Sequence, residues 1–98
     1  MKKFDAHRVA KNDNVAVVVR DVKAGEALTI HSDGAEPLFI VSASDIPAGH
    51  KIALADVKNG GDILKYGEII GAATADIAKG EYVHIHNLEG KRGRGDRA

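Results

Sequence analysis

The side chains best suited to chemistry are His50-Lys51, Lys65-Tyr66 and His84-Ile-His86, in a chain of 98 residues. Imidazole changes charge near neutral pH, so it can act as general base, general acid or metal ligand. His84 and His86 stand two residues apart in Glu81-Tyr-Val-His-Ile-His-Asn-Leu88, where polar and apolar residues alternate. Read as one strand, this segment places Val83, Ile85 and Asn87 on one face and Tyr82, His84, His86 and Leu88 on the other. The two imidazoles would then lie roughly 6.5 to 7 Å apart and could converge on one ion or one anion. A closed metal site takes about four ligands and a catalytic one about three plus an open position, so His50 is the best further donor within the chain. From spacing alone, such a pair is more often plain amphipathic surface. Lys51 and Lys65 each stand beside a turn and could hold a substrate carboxylate as point charges, although such lysines are more often solvated. Tyr66 could edge a cleft or cap the core. His7 and His31 are read as ordinary surface residues.

These groups hang on a chain that turns often. An Asp, a β-branched residue, two variable residues and a Gly recur four times, as Asp21-Val-Lys-Ala-Gly25, Asp45-Ile-Pro-Ala-Gly49, Asp56-Val-Lys-Asn-Gly60 and Asp76-Ile-Ala-Lys-Gly80. Asp can bond backbone groups at a turn and Gly supplies the positive φ that closes it, so each copy is a corner. The copies start 24, 11 and 20 residues apart, too irregular for a solenoid of fixed period. Between corners lie short extended segments. Val15 to Val19 is an apolar β-branched run, suited to a strand covered on both faces. Ala27 to His31, Leu38 to Val41 and Lys51 to Leu54 continue the series. Ser32-Asp33-Gly34 signals a turn, and Gly71 within Glu68 to Ala75 suggests a bulge or a close backbone approach. The expected organisation is a polar leader over 1–11, one mainly β domain over 12–88, and a basic tail over 89–98.

Composition narrows the classes. Basic and acidic residues balance at 14 each, so no whole-chain field draws the protein to nucleic acid or an acidic membrane. Phe4, Phe39, Tyr66 and Tyr82 are the only aromatics, too few for a base-stacking surface. The absence of Cys excludes disulfides, thiolate ligands and a Cys nucleophile. The longest apolar run falls far short of the roughly 20 residues of a membrane-spanning helix, and the N-terminus lacks the pattern of a secretory signal. The expectation is a soluble cytoplasmic protein. The tail Lys91-Arg-Gly-Arg94-Gly-Asp96 suits an arm for docking on a protein better than an RNA-binding segment, since three or four charges give only weak, salt-sensitive binding.

Three blocks carry a resemblance: Asp45-Ile-Pro-Ala-Gly-His-Lys-Ile-Ala-Leu54, Ile63-Leu-Lys-Tyr-Gly-Glu-Ile-Ile-Gly71 and Asp76-Ile-Ala-Lys-Gly-Glu-Tyr-Val-His-Ile-His-Asn-Leu88. Together they closely resemble the SAF domain at the N-terminus of altronate and galactarate dehydratases, over about residues 12 to 96. The ending Arg92-Gly-Arg94-Gly-Asp96 resembles that of small subunits in two-chain members, and the (2R)-sulfolactate sulfo-lyase small subunit is organised similarly. The resemblance implies a β-clip fold and lyase chemistry on a hydroxy acid, with water or sulfite leaving from the carbon beside the one that loses a proton. It further implies a divalent metal, Fe²⁺ or Mn²⁺, shared with or held by a large catalytic subunit. Carried over, His50, His84 and His86 become catalytic candidates, with His84 and His86 also metal candidates. Lys51, Lys65, Tyr66 and Asn87 become substrate-binding candidates, and Arg92, Arg94 and Asp96 contacts to the large subunit. Self-association is open, and the alternative to an enzyme subunit is a non-catalytic SAF ligand-binding or regulatory module. Residues 1–11 and Ser32 to Pro37 match none of these blocks.

Overall fold

Frequent corners and β-branched segments leave no room for a helix, and the computed structural model, which describes residues 4–90, contains only strands and turns among them. In chain order the strands are β1 (Ala6–Arg8), β2 (Val15–Val18), β3 (Ala27–Ser32), β4 (Leu38–Val41), β5 (Lys51–Ala53), β6 (Asp62–Lys65), β7 (Glu68–Ala73), β8 (Tyr82–Val83) and β9 (Leu88–Gly90). One sheet has the order β4-β3-β1-β2-β5-β8, and a smaller one the order β6-β7-β9. The expected β-clip of short strands and long corners is what the chain forms.

The four corners are real, and they work in pairs. Their glycines have φ of +92°, +87°, +89° and +93° at Gly25, Gly49, Gly60 and Gly80, the left-handed region where a side chain would be strained. Each Asp, however, bonds the other corner of its pair rather than its own. Asp21 Oδ1 accepts from the Ala48 N–H and Asp45 Oδ1 from the Ala24 N–H, both at 2.9 Å. Asp56 Oδ1 accepts from Lys79 N–H and Asp76 Oδ1 from Asn59 N–H, again at 2.9 Å. Beside each exchange the β-branched residues form an antiparallel bridge, Val22 to Ile46 and Val57 to Ile77.

Each bridge plugs one of two cores. Val22 and Ile46 pack with Ala6, Val18, Leu28, Ile30 and Ile52. Val57 and Ile77 pack with Val15, Ala53, Ile63, Ala73 and Val83.

Three expectations need correction. The segment set apart as a leader contains β1, which lies between β2 and β3, antiparallel to the first and parallel to the second. Ala6 is fully buried, and Asp5 secures the approach by accepting the Thr29 N–H at its carboxylate and the Val19 N–H at its carbonyl. Tertiary pairing here overrides a polar sequence. The second correction concerns Glu81 to Leu88, which is not one strand. The chain leaves the first sheet after Val83, turns, and joins the second at Leu88. Asn87 makes the turn: its Oδ1 accepts from His84 N–H at 3.0 Å, its Nδ2 donates to Tyr82 O at 2.9 Å, and its N–H donates to His84 O. Ile85 is consequently 82% exposed instead of sharing the core with Val83. Strand β9 also carries residues 89 and 90, assigned to the tail from sequence, while residues 91–98 lie outside the described residues.

Gly71 combines both features its sequence suggested. The pairing register between β6 and β7 shifts at Ile63/Leu64, and a Cβ on Gly71 would run into the Glu89 carbonyl oxygen of β9. Gly90, its partner across that pair, has open space around it. Gly71→Ala is therefore expected to cost about 2 kcal/mol or more, because backbone must move, while Gly90→Ala stays within about 0.5 kcal/mol. Urea unfolding of the two variants measures the contrast.

Candidate functional site

The site residues leave two corners. The Asp45 to Gly49 corner delivers His50 and Lys51 at the start of β5, and the Asp76 to Gly80 corner delivers Tyr82 and, after β8, His84. Strands β5 and β8 pair with Lys51 opposite Val83 and Ile52 opposite Tyr82, which brings the two exits side by side. The His50 ring meets the His84 ring edge-on at a centroid distance of 4.8 Å and the Tyr82 ring at 5.6 Å. Tyr82 lies nearly parallel to His84 at 5.7 Å, and the His86 ring stands 5.3 Å away on a tilt. Three imidazoles thus surround one phenol. Tyr82 was not singled out from sequence, although its position on the same strand face as His84 was the available signal.

The other candidates separate by role. Lys51 lies close enough to His84 and to Lys65 for its charge to act on His84 and for the charge of Lys65 to act on it. Tyr66 occupies the hairpin turn between β6 and β7, where it and Gly67 have φ of +58° and +76°, the signature of a type I′ turn. The buried Asp13 carboxylate fixes this turn by accepting the Tyr66 and Gly67 N–H groups at 2.8 and 2.7 Å. The Tyr66 ring is exposed and lies under the Lys65 ammonium at 4.8 Å. Asn87 is buried with its carboxamide committed to backbone groups, and it holds the turn that carries His84 and His86. Asp13, which sequence reasoning missed, gives no signal beyond a polar residue before a strand. Arg92, Arg94 and Asp96 lie outside the described residues.

The electrostatics of the group are set by burial and by neighbouring positive charges. Partial burial lowers the His84 pKa, and the positive charges of His50, Lys51 and His86 lower it further. Its imidazole is thereby biased towards the neutral form, which accepts a proton. Burial also lowers the Lys51 pKa, and Lys65 adds to the effect. An anion placed beside Lys51 would relieve both penalties. Among the described residues, His50 Nδ1 is buried without a hydrogen-bond partner, a condition that costs on the order of 1 to 3 kcal/mol.

The histidines do not by themselves fit the divalent iron or manganese ion implied by the resemblance. Among the described residues, the one set of three potential ligand atoms within 4.8 Å of one another is His7, His31 and Asp33, elsewhere on the molecule. Manganese also favours oxygen donors over an all-imidazole set.

Comparison with known proteins assigns the family. The profile of the altronate/galactarate dehydratase SAF domain matches residues 5–91, from β1 through β9. The chain belongs to that family. It is similar to the altronate dehydratase of Bacillus subtilis (strain 168), 44% identical over 82 residues, which cover 84% of this chain and 16% of that relative. The galactarate dehydratase (L-threo-forming) of Escherichia coli (strain K12) is 41% identical over 78 residues, 78% of this chain and 13% of its own length. The (2R)-sulfolactate sulfo-lyase subunit alpha of Chromohalobacter salexigens is 38% identical over 77 residues, which make up 82% of that subunit. This SAF chain therefore spans a small part of the dehydratases and most of the sulfo-lyase subunit. The matched span contains both corner pairs and the whole histidine group.

Because the folded-state pKa of His84 lies below its unfolded value, protonation opposes folding. The resulting penalty is absent well above pH 6.5 and grows as pH falls through about 6.5, the ordinary histidine value. NMR titration is expected to place His84 below that value. His50→Gln and Lys51→Met should each raise it, by removing a positive neighbour. A His84 that titrates at or above 6.5, or that ignores Lys51→Met, would contradict this electrostatic picture.

Proposed function

We propose that this SAF chain is the small subunit of a two-chain sugar-acid dehydratase of the altronate/galactarate type, active only with a large catalytic subunit in the cytoplasm. The observation that carries the reading is the contact of His50, His84 and Tyr82 beside the half-buried Lys51. A lyase acting next to a carboxylate needs positive charge on the carboxylate, a base for the adjacent C–H and an acid for the leaving group. In this reading Lys51, supported by Lys65, holds the substrate carboxylate and the enediolate-like charge that develops on it. His84, biased towards its neutral form, accepts the proton. The C–H electron pair becomes the C=C bond, and the departing hydroxide takes a proton from a second imidazole, His50 or His86, and leaves as water. Tyr82 sets the ring orientations.

The share of each relative that is covered, 16% of a dehydratase and 82% of a sulfo-lyase subunit alpha, supports a second chain. A groove of about 320 Å³ beside Tyr82 is lined mainly by Asp21, Val22, Lys23, Ile46 and Pro47, and none of the histidines lines it. A small acid bound at the imidazoles would lie outside that groove. The divalent metal is assigned to donors of the large subunit, and no step here passes through it. The match over 82% of a sulfo-lyase subunit alpha supports a second reading, in which sulfite leaves instead of water.

Co-expression with the candidate large subunit tests the proposal. Purified together, the chains should convert altronate or galactarate, while each chain alone is inert. His84→Ala should lower kcat/KM at least about 100-fold with the complex intact, as expected for loss of a general base. Sulfite released from sulfolactate would select the second reading, and full activity of His84→Ala would make this chain a non-catalytic module.

A further inference from the structure

We propose that His7, His31 and Asp33 form a three-ligand site for a divalent transition-metal ion of the zinc type on the outer face of the six-stranded sheet. The site is built by register. Parallel pairing of β1 with β3 sets His7 opposite His31 and Arg8 opposite Ser32. Side chains directly opposite one another share a face, and the two imidazole centroids lie 5.1 Å apart. Arg8 and Ser32 alternate to the other face, where the guanidinium donates twice to Ser32 Oγ, at 3.0 and 2.8 Å, and locks the register.

Asp33 follows directly on β3. Its N–H donates to Arg8 O at 3.2 Å, and the chain turns through Gly34 at φ +71°. The turn lays the carboxylate across the imidazoles. Asp33 Oδ1 lies 2.8 Å from His7 Nε2 and 3.2 Å from His31 Nε2, and all three ligand atoms fall within 4.8 Å of one another. Tetrahedral zinc, with bonds of about 2.0 to 2.2 Å, separates its ligand atoms by about 3.3 to 3.5 Å. The observed spacings straddle that value, so small side-chain movements centre an ion.

The surroundings favour the same assignment. Phe4 stacks on His31 at 5.0 Å and leans on His7 at 5.9 Å, a wall that limits ring rotation on one side. Two imidazoles and a carboxylate suit zinc, cobalt, nickel or copper, whereas calcium and magnesium require more oxygen donors. The three side chains are partly exposed, so the remaining coordination positions face solvent. The ion would clasp β1, the strand nearest the N-terminus, onto β3. Across the sheet His7 stands opposite Val17, and Val17 opposite Lys51, so this site lies two strand spacings, about 10 Å, from the lysine of the histidine group.

Calorimetric titration of the chelator-treated 98-residue chain with Zn²⁺ tests the proposal. One equivalent should bind and raise Tm by about 4 °C or more at saturating Zn²⁺. His31→Gln and Asp33→Asn, checked for folding by circular dichroism, should each weaken binding at least 10-fold, while the His50→Gln/His84→Gln double variant binds as the wild type does. Absence of saturable binding below millimolar Zn²⁺ would overturn the assignment. So would binding that survives His31→Gln but disappears in the double variant.

Discussion

The exchange of carboxylates between paired corners is the interaction on which the rest of the structure depends. A domain whose described residues form only short strands and turns has many backbone N–H groups at turns, and each needs an acceptor when water is excluded. Asp21 and Asp45 each supply one to the other's corner, as do Asp56 and Asp76. Each bond alone contributes only about 1 kcal/mol. Their value is geometric, because each pair also positions a Val–Ile bridge that closes one core.

That arrangement makes the site possible. The two corners that deliver His50 and His84 are each held by an Asp from the paired corner: Asp21 holds the first and Asp56 the second. The clamps therefore free the exits for residues that serve function at the expense of stability. Among the described residues, His50 keeps a buried nitrogen without a hydrogen-bond partner, and Lys51 keeps a desolvated charge. Local conflicts of this kind, set in an otherwise consistent framework, are characteristic of functional sites.

The sequence showed the corners and their glycines because that information is local. It could not show that corners starting 24 and 20 residues apart would pair while those 11 apart would not, since the choice is made by which Val–Ile bridge fills which core. The grouping of His50 with His84 and His86 was legible from residue type and position and was strengthened by the family resemblance, but the single strand inferred from alternation was wrong. Asn87 competes with the strand ladder through its side chain and bends the segment. Strand β1 was illegible because Ala6 is its only buried residue. The proximity of His7, His31 and Asp33 was illegible for the same reason, since it exists only once β1 is placed in parallel against β3.

The most direct test of this account compares Asp21→Ala with Asp45→Ala. Both remove one clamp of the same pair and should lose similar stability, about 1 kcal/mol each. Only Asp21 holds the corner that leads to His50. Measured by NMR titration, the His84 pKa should move back towards its ordinary value in Asp21→Ala, as His50 and Lys51 lose their fixed positions, and stay unchanged in Asp45→Ala. Equal shifts in both variants, or none in either, would contradict the claim that the corner exchange positions the site.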